Sequence, residues 1–172
     1  MRAWGERVVA LLRAASNNGE LPILCDASSC TEGLRHFIDQ EAVPEGANPL
    51  NIIDVSDYTA EHILPLLPEG RKLAALALHP TCSSTRLGLN EALQTVAEAV
   101  AHRVKVPESW GCCGFAGDRR MLHPELTASA AEEQAAEAIA FGAGAHPSCN
   151  RTCELGMTRA TGEPYEHMLE ML

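Results

Sequence analysis

The 172-residue chain contains no apolar run approaching the roughly 18 residues of a membrane-spanning helix. It has no clear small-residue cleavage site behind its first apolar stretch. MRAWGERVVALLRAAS carries charges inside that stretch and reads as an amphipathic helix rather than a signal peptide. Positive charge is scarce. With 13 basic against 23 acidic side chains, the net charge of −10 argues against nucleic acid or an anionic membrane surface as partner. No GxGxxG follows a strand-like run, so no flavin or dinucleotide fingerprint is present. The seven cysteines (25, 30, 82, 112, 113, 149, 153) lack the two close pairs of a zinc finger. An odd count in a chain of ordinary core composition disfavours a secreted disulfide framework. It favours metal or redox chemistry in a reducing compartment. The expected location is the cytoplasm, with any contact to the inner membrane made through partners.

What is present centres on WGCCGFAGDRRMLHPEL, from Trp110 to Leu126. Adjacent side chains on an extended or turning backbone diverge, so Cys112 and Cys113 do not easily meet on one small tetrahedral ion. A cluster of several irons is large enough for both thiolates to reach different metal atoms. Gly114 and Gly117, lacking Cβ, then let backbone approach a bulky inorganic core and offer N–H···S bonds. The alternative for CCG alone is a buried turn with two inert thiols, since free cysteine is among the most buried residue types.

Along the chain, residues 3–15 have helical spacing, ended by Asn17-Asn18-Gly19. PILC (22–25) reads as a strand entering Asp26 to Cys30, several of them good N-caps, and then a helix with Leu34, Phe37 and Ile38 on its apolar face. Residues 50–55 form a second strand, Tyr58 to Leu67 a short helix, and KLAALAL (72–78) a third, buried strand. A long helix is expected over about Leu87 to His102, then a brief strand at 104–106. An alanine-rich helix follows Pro124, with Glu132, Glu133 and Glu137 on a solvated face. The loop His146-Pro147-Ser148-Cys149 leads to a helix from about Thr152, and a terminal helix follows Pro164. Strands alternating with helices predict an α/β fold, a short and largely parallel sheet flanked by helices. The expected organisation is one domain over 1–172, built as two intimate halves of about 1–78 and 79–172. Its ends, an immediate helix and an apolar stripe running into EHMLEML, suggest a piece of a longer protein.

One pattern recurs. PILC-DASSC-TEGL, LALHPTCSSTRLG and GAHPSCNRTCELG each pass from an apolar or small segment through D/H-A/P-S/T to a cysteine and into a helix. Such an internal pseudo-repeat would put cysteines at strand carboxyl ends and helix amino ends, the edge where open α/β sheets bind ligands. Helix N-termini also favour thiolate over thiol. A zinc site from Cys25, Cys30, Cys149 and Cys153 is a competing arrangement, but it leaves CCG and Cys82 unexplained. His79, His123 and His146 each precede proline, where a structural imidazole competes with a ligand or proton relay. Asp118 and Arg119 could charge-balance an anionic cluster, and Trp110 and Phe115 could shield it.

The spacing C…CCG…C, with 29 residues between Cys82 and Cys112 and 35 between Cys113 and Cys149, resembles the cysteine-rich CCG domains of heterodisulfide reductase B subunits. It also resembles those of glycolate oxidase iron–sulfur subunits and of the C-terminal region of FAD-linked D-lactate dehydrogenases. LHPTCSSTRLG, VPESWGCCGFAGDRRMLHPELTASA, SCNRTCELGM and DASSCT look most like the last group. The resemblance implies an iron–sulfur cluster, non-cubane with four irons in the reductase relatives, held by Cys82, Cys112, Cys113 and Cys153, with Cys30 next. Three residues separate Cys149 from Cys153 where those relatives have two, which places Cys149 behind Cys153 as a ligand. Gly114, Gly117, Asp118, Arg119 and His79 would surround the cluster. The resemblance further implies electron transfer from FAD on another part of the parent protein to a cytochrome or quinone system, with the domain not catalytic alone. A domain excised and handled in air is expected to lose iron. A thiol–disulfide or heterodisulfide reductase-type enzyme, and a zinc-stabilised or metal-free interaction module, remain as alternatives.

Overall fold

The computed structural model describes residues 2–40, 43–68, 70–117 and 119–172, with backbone alone at 2, 3, 119 and 120. Helix α1 (Arg2–Ala15) unwinds through Asn17, Asn18 and Gly19, all at positive φ. It rests on helix α2 (Ser28–Ile38) where Gly5 meets the Phe37 ring, a contact that leaves no room for a Cβ at residue 5. Strand β1 (Ile23–Cys25) pairs in parallel with β2 (Ile52–Asp54), Ile23 opposite Ile52. The Asp54 carboxylate accepts from the Ser56 N–H at 3.0 Å and so caps α3 (Val55–Tyr58). That helix runs on as a π turn over 59–63 and a 3-10 turn over 64–66, so this helical stretch begins three residues before the expected Tyr58.

The other four strands form one parallel array. β3 (Leu76–Ala77) pairs with β4 (Val104–Lys105), and β5 (His146–Ser148) pairs with β6 (Tyr165–His167). β3 and β5 are joined because the Ala77 N–H donates to the Ala145 carbonyl and the His79 N–H to the Pro147 carbonyl, both at 3.0 Å. The order is therefore β4-β3-β5-β6. Leu76 and Ala77 are wholly buried, as a central parallel strand covered on both faces requires. Leu78, Leu93, Val96, Ala97 and Met168 complete that core. The fold is a small α/β fold with parallel strand pairs flanked by helices. Among the described residues no helix is long and apolar enough to cross a membrane.

Three local expectations change. The helix expected over about 87–102 is α5 (Asn90–Val100), and a separate short helix, α4 (Cys82–Leu87), precedes it, closed by Gly88 at φ +74. His146 to Ser148 is not a loop but strand β5, buried at every residue. The helix expected after Pro164 is instead strand β6, buried-exposed-buried, followed by a 3-10 turn over 168–171. Pairing with β5 gives Tyr165 and His167 a buried side that a helix there would not provide. The remaining helices are α6 (Arg119–Leu122), α7 (Pro124–Phe141) and α8 (Arg151–Thr161).

Candidate metal centre

Each of three strand-to-helix crossovers carries a cysteine at its helix start. Cys30 is the third residue of α2, Cys82 the first of α4 and Cys153 the third of α8. The α4 start is fixed by a reciprocal cap, with the Ser84 N–H donating to Thr81 Oγ1 at 3.0 Å and the Thr81 N–H to Ser84 Oγ at 2.8 Å. Ser28 and Thr81 hydroxyls meet at 2.8 Å, and the Ser28 N–H donates to the Cys149 carbonyl at 3.1 Å. These bonds tie the α2, α4 and α8 crossovers together at one edge of the strands.

The CCG loop closes over that edge. Trp110 Nε1 donates to the Pro80 carbonyl at 2.7 Å, pinning the loop to the His79-Pro80 turn. Glu137 accepts from the backbone N–H groups of Glu108 (2.6 Å) and Ser109 (2.9 Å). The Ser109 hydroxyl and N–H, with the Glu108 N–H, hold the Glu137 carboxyl below its usual range, so this residue anchors the loop rather than merely facing solvent. Gln134 donates to the Cys112 carbonyl at 3.3 Å, and Thr127 Oγ1 to the Gly114 carbonyl at 3.2 Å. The loop therefore lies flat on α7. Gly114 takes φ +70 there, and its N–H points at Cys112 Sγ, 3.4 Å away. Gly117, at φ +69, faces open space and serves the turn.

At the centre, Cys113 Sγ and Cys153 Sγ lie 3.1 Å apart, both buried among Phe115, Ala131, Met157 and Tyr165. That is well beyond the roughly 2.05 Å of a disulfide. The hydrogen bond the two sulfurs share holds the Cys113 thiol down to about 4, with help from His79 and the Phe115 N–H against the cost of burial. Cys153 is pushed up, first by that hydrogen bond and then by burial. Cys82 and the exposed Cys112 form the rim. Burial, then the neighbouring Cys112 and Cys113 sulfurs, push the Cys82 thiol up to about 11.

His79 completes the inner group. Its ring, Cys113 Sγ and Cys153 Sγ place their ligand atoms within 4.8 Å of one another, and among the described residues no other set of three or more His, Cys, Asp or Glu side chains does so. His79 is 1 % exposed. It lies near enough to Cys113 to favour the thiolate, yet neither of its ring nitrogens reaches a hydrogen bond of proper geometry.

Other candidates sit elsewhere. Cys149 is buried in the main core, its thiol facing the Ser28 (3.6 Å) and Thr81 (3.7 Å) hydroxyls. Cys30 is exposed on α2, and Cys25, half-buried at the end of β1, faces the Ala27 carbonyl. The competing zinc set of Cys25, Cys30, Cys149 and Cys153 is not gathered at ligand distance among the described residues. His123 is exposed beside Glu125, and His146 is buried against Tyr165. Asp118 lies outside the described residues, as does the Arg119 side chain. The sequence offered His79 both as a surrounding residue and, with His123 and His146, as a ligand or proton relay competing with a structural role; its added signal was its place three residues before Cys82.

The donor set fits a metal or iron–sulfur centre. Thiolates and imidazole are the ligands such centres take, and a buried imidazole with two orphaned nitrogens is a polar group that calls for a partner. The sulfur pair also has a consequence for the metal-free chain. Folding depresses the Cys113 thiol from 9.0 to about 4, so its stabilisation is full above 9 and is lost as pH falls through 4. Cys153, pushed up, acts oppositely, contributing below 9.0 and losing that contribution at higher pH. The urea midpoint of the wild type relative to Cys113→Ser is expected to climb between these limits and turn over near 9; a flat difference would contradict the shared hydrogen bond.

No curated protein matches the chain. Residues 76–158, just under half of it, match the family described as CCG, cysteine-rich domain, and this segment holds His79, Cys82, the CCG loop and Cys153. The chain thus carries a CCG-type cysteine-rich domain with a candidate Cys/His metal site.

Proposed function

We propose that the chain is the iron–sulfur electron-transfer domain of an FAD-linked 2-hydroxy-acid dehydrogenase of the D-lactate type. The observation carrying this reading is that Cys82, the Cys112-Cys113 pair and Cys153, from three separate segments, interact as one group at the strand ends. These four thiolates would hold the cluster, with Cys30 the next candidate and Cys149 retained by its hydroxyl partners. When bound, the cluster supplies storage for single electrons. Phe115 and Met157 exclude water from the inner thiols, and the Gly114 N–H directed at Cys112 Sγ stabilises negative charge on that sulfur.

The domain is proposed to span 1–172 as two halves joined through Ser28, Thr81 and Cys149. Its partners in this reading are an FAD domain of the parent protein and a cytochrome or quinone acceptor. The test is to mix the anaerobically reconstituted chain with an FAD-linked D-lactate dehydrogenase flavin domain and follow the visible band. Bleaching on addition of D-lactate, dependent on the flavin domain, is expected. Unchanged absorbance with a competent flavin domain would sink the dehydrogenase assignment.

A thiol–disulfide enzyme is the second reading, favoured by the depressed Cys113 thiol beside Cys153. It requires the metal-free chain to reduce a disulfide through Cys113. Burial of both sulfurs stands against it, because a substrate disulfide must reach the attacking thiolate.

A further inference from the structure

Among the groups around the centre, His79 has the most constrained position and the least explained side chain. Its backbone is fixed at both polar atoms, the N–H donating to the Pro147 carbonyl at 3.0 Å and the carbonyl accepting from Ser148 Oγ at 2.8 Å. Pro80 restricts the backbone on its far side. Tyr165 stands edge-on to the imidazole, ring centroids 6.4 Å apart. The ring is therefore held between the ends of β3 and β5 at a position it cannot easily leave. Both ring nitrogens are buried without a hydrogen bond of proper geometry, and the group the imidazole approaches is the Cys113 sulfur rather than an oxygen. A structural histidine in this position would spend at least one nitrogen on a carbonyl or hydroxyl, as His167 does by accepting from the Leu169 N–H at 3.3 Å.

We infer that His79 is a direct metal ligand, so that the centre is a mixed thiolate–imidazole site rather than an all-cysteine one. The inference rests on the cluster reading above and deepens it. Cys113, Cys153 and His79 form the buried inner face of the donor set, and Cys82 and Cys112 its outer rim. Exchanging thiolate for neutral imidazole removes negative charge from the ligand set, which stabilises the reduced state and raises the reduction potential. His79 thereby sets the potential from within the ligand set, whereas the Gly114 N–H acts from outside it.

The test is pulsed EPR on the reduced, reconstituted chain, grown with natural-abundance and with 15N-labelled histidine. A strong coupling characteristic of a directly bonded nitrogen is expected, shifting with the isotope, absent from His79→Ala and retained in His146→Asn. The potential of His79→Cys is expected to shift downward. A cluster showing no directly bonded histidine nitrogen overturns the inference while leaving the cluster reading intact. So does a coupling that survives in His79→Ala. The isotope comparison and the His146→Asn control need no His79 variant, so failure of His79→Ala to fold does not remove the test. If the chain takes up no iron and sulfide, the cluster reading fails, and His79 is then read from the cobalt(II)-loaded chain. There a contact-shifted imidazole proton signal lost in His79→Ala supports ligation. Its absence, or failure to bind cobalt(II), overturns it.

Discussion

Cys153→Ser is expected to leave the chain folded and to reduce its bound iron to background, whereas Cys149→Ser keeps the iron of the wild type. The two cysteines are separated by only three residues, so the contrast tests placement rather than proximity in sequence. Cys153 opens the second half of the first turn of α8 and aims its sulfur at Cys113, 3.1 Å away. Cys149, at the end of β5, turns the other way into the core, toward the Ser28 and Thr81 hydroxyls. A serine at 149 can take up the same hydroxyl partners. A serine at 153 offers a hydroxyl that is a poor ligand where a thiolate is needed. Iron and circular dichroism measured on both variants check the pair. Equal iron loss in the two would place Cys149 inside the ligand set and contradict the account.

Gly114→Ala is expected to destabilise the chain by about 2–4 kcal/mol, combining the cost of a left-handed backbone with overpacking. The second contribution is specific to this site. A Cβ on residue 114 would lie 2.9 Å from the Ala130 side chain and 3.0 Å from the Thr127 backbone, because the CCG loop is pressed onto α7. Gly117→Ala meets the same backbone restriction at φ +69 but nothing within 4 Å, so about 1 kcal/mol is expected there. Urea unfolding of the metal-free variants measures both. If the two cost the same, the close packing of the loop on α7 is not what fixes Gly114.

Much of this site was legible in the sequence because its parts are local. A diverging cysteine pair, a glycine needing positive φ directly after it, and cysteines at strand-to-helix crossovers are all short-range patterns. Cys82, Cys112, Cys113 and Cys153 could be named from them and from the family likeness. A ligand role for His79 was open in the sequence but could not be told apart from that of His123 or His146, since an imidazole before proline satisfies itself locally in many turns. Only the β3–β5 bonding, made across 68 residues from His79 to Pro147, fixes the ring with both nitrogens orphaned. The same limit explains the C-terminus. EHMLEML has helical spacing, but pairing with β5 gives Tyr165 and His167 buried places that local pattern does not reveal. Gly88 is a local signal of another kind, a left-handed helix stop that closes α4 just before the Leu89 to Val100 stripe begins.

The central claim, that these thiols hold an iron–sulfur cluster, is tested most directly by counting iron and sulfide beside the visible spectrum after anaerobic purification. The account predicts a brown protein with several irons and matching sulfide per chain, colour and iron both lost in Cys112→Ser. A colourless, well-folded chain that reconstitution with iron and sulfide leaves unchanged would contradict it.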